Sequence, residues 1–143
     1  MKTLKQVIDT KNIKELLTIS PNQKVLEALI VMAEYKIGAL LVTDKEKMVG
    51  IVSERDYARE IILHKKSSKE TLVKDIMTKK VLFLDPSDSF EKGLEIMTEK
   101  KVRHIPILKG NKIIGMVSQG DLVKEMISHQ KDLISQLEIF IQN

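Results

Sequence analysis

The chain repeats itself, and this limits its fold more than any other feature. Pro21 recurs as Pro86, 65 residues on. At the same offset Leu29 meets Leu94, Met32 meets Met97, Glu34 meets Glu99 and Lys36 meets Lys101. Farther along, Lys47 meets Lys112, Gly50 meets Gly115, Val52 meets Val117, Ser53 meets Ser118 and Asp56 meets Asp121, with no gap from first pair to last. Chance supplies one or two such matches. An ungapped series ending twice in Gly-x-Val-Ser-x-x-Asp is a duplication.

Each copy reads as helix, strand, strand, helix. Val25, Leu29 and Met32 fall at helical spacing, as do Phe90, Leu94 and Met97, where Asp88-Ser89-Phe90-Glu91 supplies an Asp-x-x-Glu capping signal. The first strand is Ala39 to Val42 or Ile105 to Leu108. The second is Met48 to Val52 or Ile113 to Val117. Ser53 and Ser118 stand where that strand gives way to the next helix, a normal N-cap place.

Between the copies, Lys65 to Glu70 predicts a surface loop. Val73 to Met77 predicts a short helical lead-in to a strand over Val81 to Leu84, and Leu4, Val7 and Ile8 form the matching lead-in to the first repeat. The expected boundaries are a first repeat at 1–64, a linker at 65–72, a second repeat at 73–128 and a C-terminal helix at 129–143. That helix carries Leu133, Leu137, Phe140 and Ile141 beyond what the repeat needs, free to pack on the domain or form a dimer contact. A small sheet with two helices cannot cover both of its faces. The expected architecture is therefore α/β (α+β): two pseudo-twofold-related repeats packed sheet to sheet, with paired clefts at the seam.

Composition removes several function classes. With no Cys there is no disulfide framework, thiol nucleophile or Cys-ligated metal, and only His64, His104 and His129 remain as imidazoles. Aromatics are 3% with no Trp, and the net charge is only +4, which argues against a nucleic-acid surface. No nucleophile–base pair, Walker-type loop or zinc motif is readable, so an enzyme is not expected. No metal or required cofactor is expected either. The N-terminus lacks an apolar signal region and charges interrupt every apolar run, so a cytoplasmic protein without membrane attachment is expected.

The segments Gly50-Ile51-Val52-Ser53-Glu54-Arg55-Asp56 and Gly115-Met116-Val117-Ser118-Gln119-Gly120-Asp121 resemble the signature of CBS domains. So do Ile37 to Val42, Val102 to Ile107 and Ile76-Met77-Thr78. The resemblance is to a tandem pair, a Bateman module, of the small stand-alone kind. It implies an adenosine ligand acting as effector in the clefts: AMP, ADP, ATP, NAD(H) or S-adenosylmethionine. It also implies a homodimer and a regulated partner protein of unknown identity. Asp56 and Asp121, with Ser53 and Ser118, would hold ribose; Arg55, Arg103 and His104 would hold phosphate. Ile19, Ile37, Gly38, Ala39, Leu84, Val102 and Gly120 would line adenine. The family pattern groups Ser53, Arg55 and Asp56 with Leu84, Val102, Arg103 and His104 in one cleft. Ser118, Gly120 and Asp121 go with Ile19, Ile37, Gly38 and Ala39 in the other. Phosphate is then expected to bind tighter in the first, since Gly38-Ala39 replaces Arg103-His104 in the second.

Each residue also has a plainer reading. Ser53 and Ser118 serve as helix caps, although a cap by itself does not account for an Asp three residues on in both copies. Arg103, beside Lys100 and Lys101, reads as a solvated arginine, and His104 as a core or edge histidine. Arg55 has Glu54 and Glu60 as surface partners.

Overall fold

The computed structural model describes residues 2–11 and 16–142. Met1 and residues 12–15, from the expected first repeat, and Asn143, from the expected C-terminal helix, lie outside the described residues. The chain forms two compact units, one of residues 16–82 with Asn111–Ile113, the other of residues 2–11, Phe83–Gly110 and 114–142.

In the first unit, strand β1 (Thr18–Ile19) runs parallel to β2 (Ala39–Asp44), and β2 pairs antiparallel with β3 (Lys47–Ser53). Helix α2 (Val25–Tyr35) lays Val25, Ala28 and Met32 on this sheet, against Leu40, Val42 and Val52. Lys24 provides no side-chain cap for α2. The linker does so instead: Val25 N–H donates to the Thr71 carbonyl at 2.9 Å and Leu26 N–H to that of Ser68 at 3.0 Å. The predicted surface loop is thus a structural cap, filling donors that a helix start leaves orphaned. A four-residue helix α3 (Glu54–Tyr57) follows β3 and widens into a π-helical turn at Ala58–Ile62.

The second unit repeats the central helix and strand pair residue for residue. Helix α4 (Phe90–Lys100) and strands β4 (His104–Lys109) and β5 (Lys112–Ser118) each lie 65 residues after α2, β2 and β3. Ser89, rather than Asp88, caps α4, accepting the Lys92 N–H at 3.2 Å. Both α2 and α4 end on a left-handed lysine, Lys36 and Lys101, each at φ 55°. The strand expected over Val81 to Leu84 shrinks to one parallel bridge from Leu84 to Ile107, the counterpart of Ile19 to Val42. The counterpart of the Thr18 to Leu41 pairing is absent because Pro106 stands where Leu41 does and has no N–H to offer. Helix α5 (Gln119–Gln142) closes the unit.

The lead-in segments do not pack on the repeat they precede in sequence. Helix α1 (Leu4–Asp9) does not join the first repeat: Leu4 and Val7 sit in the second unit's core with Phe90, Met97, Ile105 and Leu122. Leu4 and Lys5 N–H donate to the carbonyls of Asp88 and Pro86, and Phe90 N–H to that of Lys2. Conversely Val73, in a 3₁₀ turn at Val73–Asp75, and Ile76 belong to the first core. Thr78 and Ile51 exchange two main-chain bonds of 2.9 and 3.0 Å. Each repeat is completed by the other's lead-in.

Candidate functional site: two Ser-x-x-Asp junctions

Both Ser-x-x-Asp segments fold as capping boxes at a strand-to-helix junction. Asp56 Oδ2 accepts the Ser53 N–H at 2.9 Å and the Ser53 hydroxyl at 3.0 Å, while Ser53 Oγ accepts the Asp56 N–H at 3.2 Å. In the other unit Asp121 Oδ2 accepts the Ser118 N–H at 2.8 Å and Ser118 Oγ accepts the Asp121 N–H at 3.1 Å. This corrects the sequence reading that a cap leaves the aspartate unexplained, because the reciprocal box uses both residues. It leaves one carboxylate oxygen in each unit outside the cap. Among the described residues Asp56 Oδ1 has only the Thr78 hydroxyl, at 3.5 Å, the edge of hydrogen-bond distance.

The surroundings of the two carboxylates differ. Asp121 Oδ2 is also held by Lys11 Nζ at 3.0 Å, and the same ammonium donates to the Met116 carbonyl at 2.9 Å. Among the described residues Asp56 has no ion pair. The Gln119 N–H donates to the Arg103 carbonyl at 2.8 Å, which puts Arg103 and His104 beside the Asp121 junction of their own unit. The matching bond in the first unit runs from Glu54 N–H to the Gly38 carbonyl at 3.1 Å, where the residue that follows is Ala39. Burial pushes the His104 imidazole below its ordinary value. The Asp121 carboxylate pulls it up, and Lys11 and Arg103 push it down further. His104 is therefore neutral at neutral pH, and the fixed cations here are Lys11 and Arg103.

The expected adenine-lining residues divide in two. Ile19, Ala39 and Leu84 are buried, at 3%, 0% and 7% exposure, so without unpacking they can offer a ligand only main-chain groups. Ile37, Gly38 and Val102 are half-buried and Gly120 is exposed. Arg55 is exposed on the first turn of α3 and Arg103 is exposed at the foot of β4. Sequence reasoning missed Lys11 and Thr78. Neither lies in a repeat motif that names it as a site residue, and both reach their junction only because the lead-ins are exchanged.

The family model for the CBS domain matches residues 5–63 and 73–128. The chain belongs to the CBS-domain family. A solved CBS-domain protein from Burkholderia ambifaria MC40-6 is 45% identical, with a TM-score of 0.86 over 90% of this chain and 96% of that one. The CBS-domain containing protein ATU1752 from Agrobacterium tumefaciens is 30% identical, with a TM-score of 0.81 over 87% and 99%. The mitochondrial CBS domain-containing protein CBSX3 of Arabidopsis thaliana is 37% identical over 123 residues, which cover 82% of this chain and 60% of that protein. The chain thus spans about three fifths of that relative's length. No helix among the described residues is long and apolar enough to cross a membrane.

Proposed function

We propose that this CBS pair is a non-catalytic regulatory module that binds adenosine ligands and passes their presence to a partner protein. The observation that carries the reading is the pair of aspartates, 65 residues apart, each presenting one carboxylate oxygen beyond its capping box. A carboxylate oxygen at a strand end can accept a ribose hydroxyl, and Asp56 and Asp121 are assigned that role, flanked by Ser53 and Ser118. A solved CBS pair, that of protein MJ0100, is in complex with 5-methylthioadenosine and S-adenosyl-L-methionine. At 20% identity and a TM-score of 0.78 it supports the reading through the fold alone.

Phosphate preference follows the cations. Lys11 and Arg103 stand at the Asp121 junction, so we assign the more anionic ligand to that carboxylate, the reverse of the sequence expectation. Arg55 is the corresponding cation at Asp56. The module works as a homodimer. A ligand signals only if it binds one arrangement of the pair better than another.

Thermal-shift and calorimetric titration with AMP, ADP, ATP, NADH and S-adenosylmethionine tests this, because a ligand that binds only the folded chain raises its midpoint. Asp56→Asn and Asp121→Asn each keep an acceptor for the cap and should remove one binding event. Lys11→Met should weaken ATP more than a neutral adenosine ligand. If none of the five ligands shifts the midpoint, or if both Asn variants bind like the parent, the reading fails.

A further inference from the structure

Helix α5 runs on alone. Its first turns pack inward: Leu122 against Gly93, His129 edge-on to Phe90 at 5.8 Å between ring centroids, and Glu125 to Lys2 at 3.1 Å. From Gln130 to Gln142 every residue is exposed, including Ile134 at 56%, Leu137 at 60% and both Phe140 and Ile141 at 80%. Thirteen residues of unpacked helix are marginal in water, and most helical stability comes from burying an apolar face. This face needs a cover.

Its spacing indicates the cover. Val123, Ile127, Gln130, Ile134, Leu137 and Ile141 alternate four and three residues apart, the seam of a two-helix coil. Met126, Leu133 and Phe140 flank it on one side, and Lys124, Lys131 and Glu138 on the other. A parallel pair would set Gln130 against Gln130 of the partner subunit and apolar flank against charged flank, with no opposite charges facing. In an antiparallel pair Val123 meets Ile141 of the partner subunit, Ile127 meets Leu137 of the partner subunit, and Lys124 faces the partner's Glu138 twice. Only the two Lys131 side chains oppose like with like.

The antiparallel register also brings the partner's Phe140 onto Met126. Met126 and Leu94 form the apolar floor of a groove of about 720 Å³ between α4 and α5, ringed by Ser89, Glu91, Lys92, Glu95, Thr98 and Glu99. The groove lies on the flank of α5 away from the Lys2–Glu125 bond, beside the seam. The helix end that would enter it, Ile139 to Gln142, is apolar but for its glutamines and carries no charge, which suits the apolar floor of Leu94 and Met126 inside a charged rim. We propose that α5 pairs antiparallel with α5 of a second copy, each seating Phe140 in the other's α4–α5 groove. This surface needs no ligand and stands apart from the nucleotide reading.

Sedimentation velocity at micromolar concentration should show a dimer. Ile134→Asp combined with Leu137→Asp should give a monomer whose circular dichroism retains the strand signal of both sheets. Lys124→Glu or Glu138→Lys alone should weaken the dimer about tenfold, and the double reversal should restore it. The chain has no Cys, so single cysteines report the orientation. Leu133→Cys should link two chains under mild oxidation and Ile134→Cys should not. A monomeric parent (the stripe covered by its own chain or by a lipid surface), a dimer that survives the double Asp variant, or linkage at 134 instead of 133 overturns the proposal.

Discussion

Gly50 and Gly115 occupy the same position in their repeats, and the structure separates them sharply. A Cβ built on Gly50 would lie 2.8 Å from Met77 Sδ and 2.8 Å from the Thr78 carbonyl oxygen. A methionine can swing aside, but the carbonyl cannot without moving a strap that two bonds, Ile51 N–H to Thr78 and Thr78 N–H to Ile51, hold to β3. Overpacking of this kind costs about 1–3 kcal/mol. Losing one or both main-chain bonds adds roughly 1 kcal/mol each. Gly50→Ala should therefore destabilise by roughly 2–5 kcal/mol. At Gly115 the nearest atoms are all on the Ile8 side chain, at 3.1 to 3.5 Å, and a few tenths of an ångström of movement admits the methyl. The remaining strain is offset by the stiffer unfolded chain, worth about 0.4–1 kcal/mol, so Gly115→Ala should fall near zero. Thermal melts followed by circular dichroism should show a midpoint drop on the order of 10 °C for Gly50→Ala and little change for Gly115→Ala. Equal losses in the two variants, or a larger loss at Gly115, would refute the exchanged packing of the lead-ins from which the asymmetry is argued.

Three further outcomes follow from the same geometry. Because His104 is held below its ordinary 6.5, the unfolded chain takes up that proton first. Stability should be level above pH 6.5 and fall as pH drops below it, and His104→Gln should remove that fall in pH-dependent urea melts. Lys11→Met should raise the His104 titration midpoint in NMR, since a nearby positive charge is removed, whereas Asp121→Asn should lower it. Lys36→Gly and Lys101→Gly should each stabilise the chain by about 1 kcal/mol in urea unfolding, because a left-handed cap at φ 55° strains a residue with a Cβ and not glycine.

The duplication was legible because it is a property of residue order. Matched identities at one offset needed no knowledge of contacts, and the structure returns the central helix and the antiparallel strand pair at that same spacing, down to the left-handed lysines that end α2 and α4. The sites of Ser53 and Ser118 at helix starts were legible for the same reason. The reach of the capping box to Asp56 and Asp121 was a matter of reading the motif fully, since Ser-x-x-Asp carries it in sequence. The shortened strand at Leu84 was also within reach, because Pro106 announces a missing donor.

Amino-acid order alone determined that this chain is two copies of one α/β unit with a surplus amphipathic helix. Period, turn residues and caps are local, and local rules act on neighbours along the chain. Tertiary structure decided which sheet Leu4 and Val73 would cover and that Lys11 would reach Asp121 from 110 positions away. An apolar residue on a short helix seeks any apolar face, and nothing in its own neighbourhood says which of two near-identical sheets will receive it.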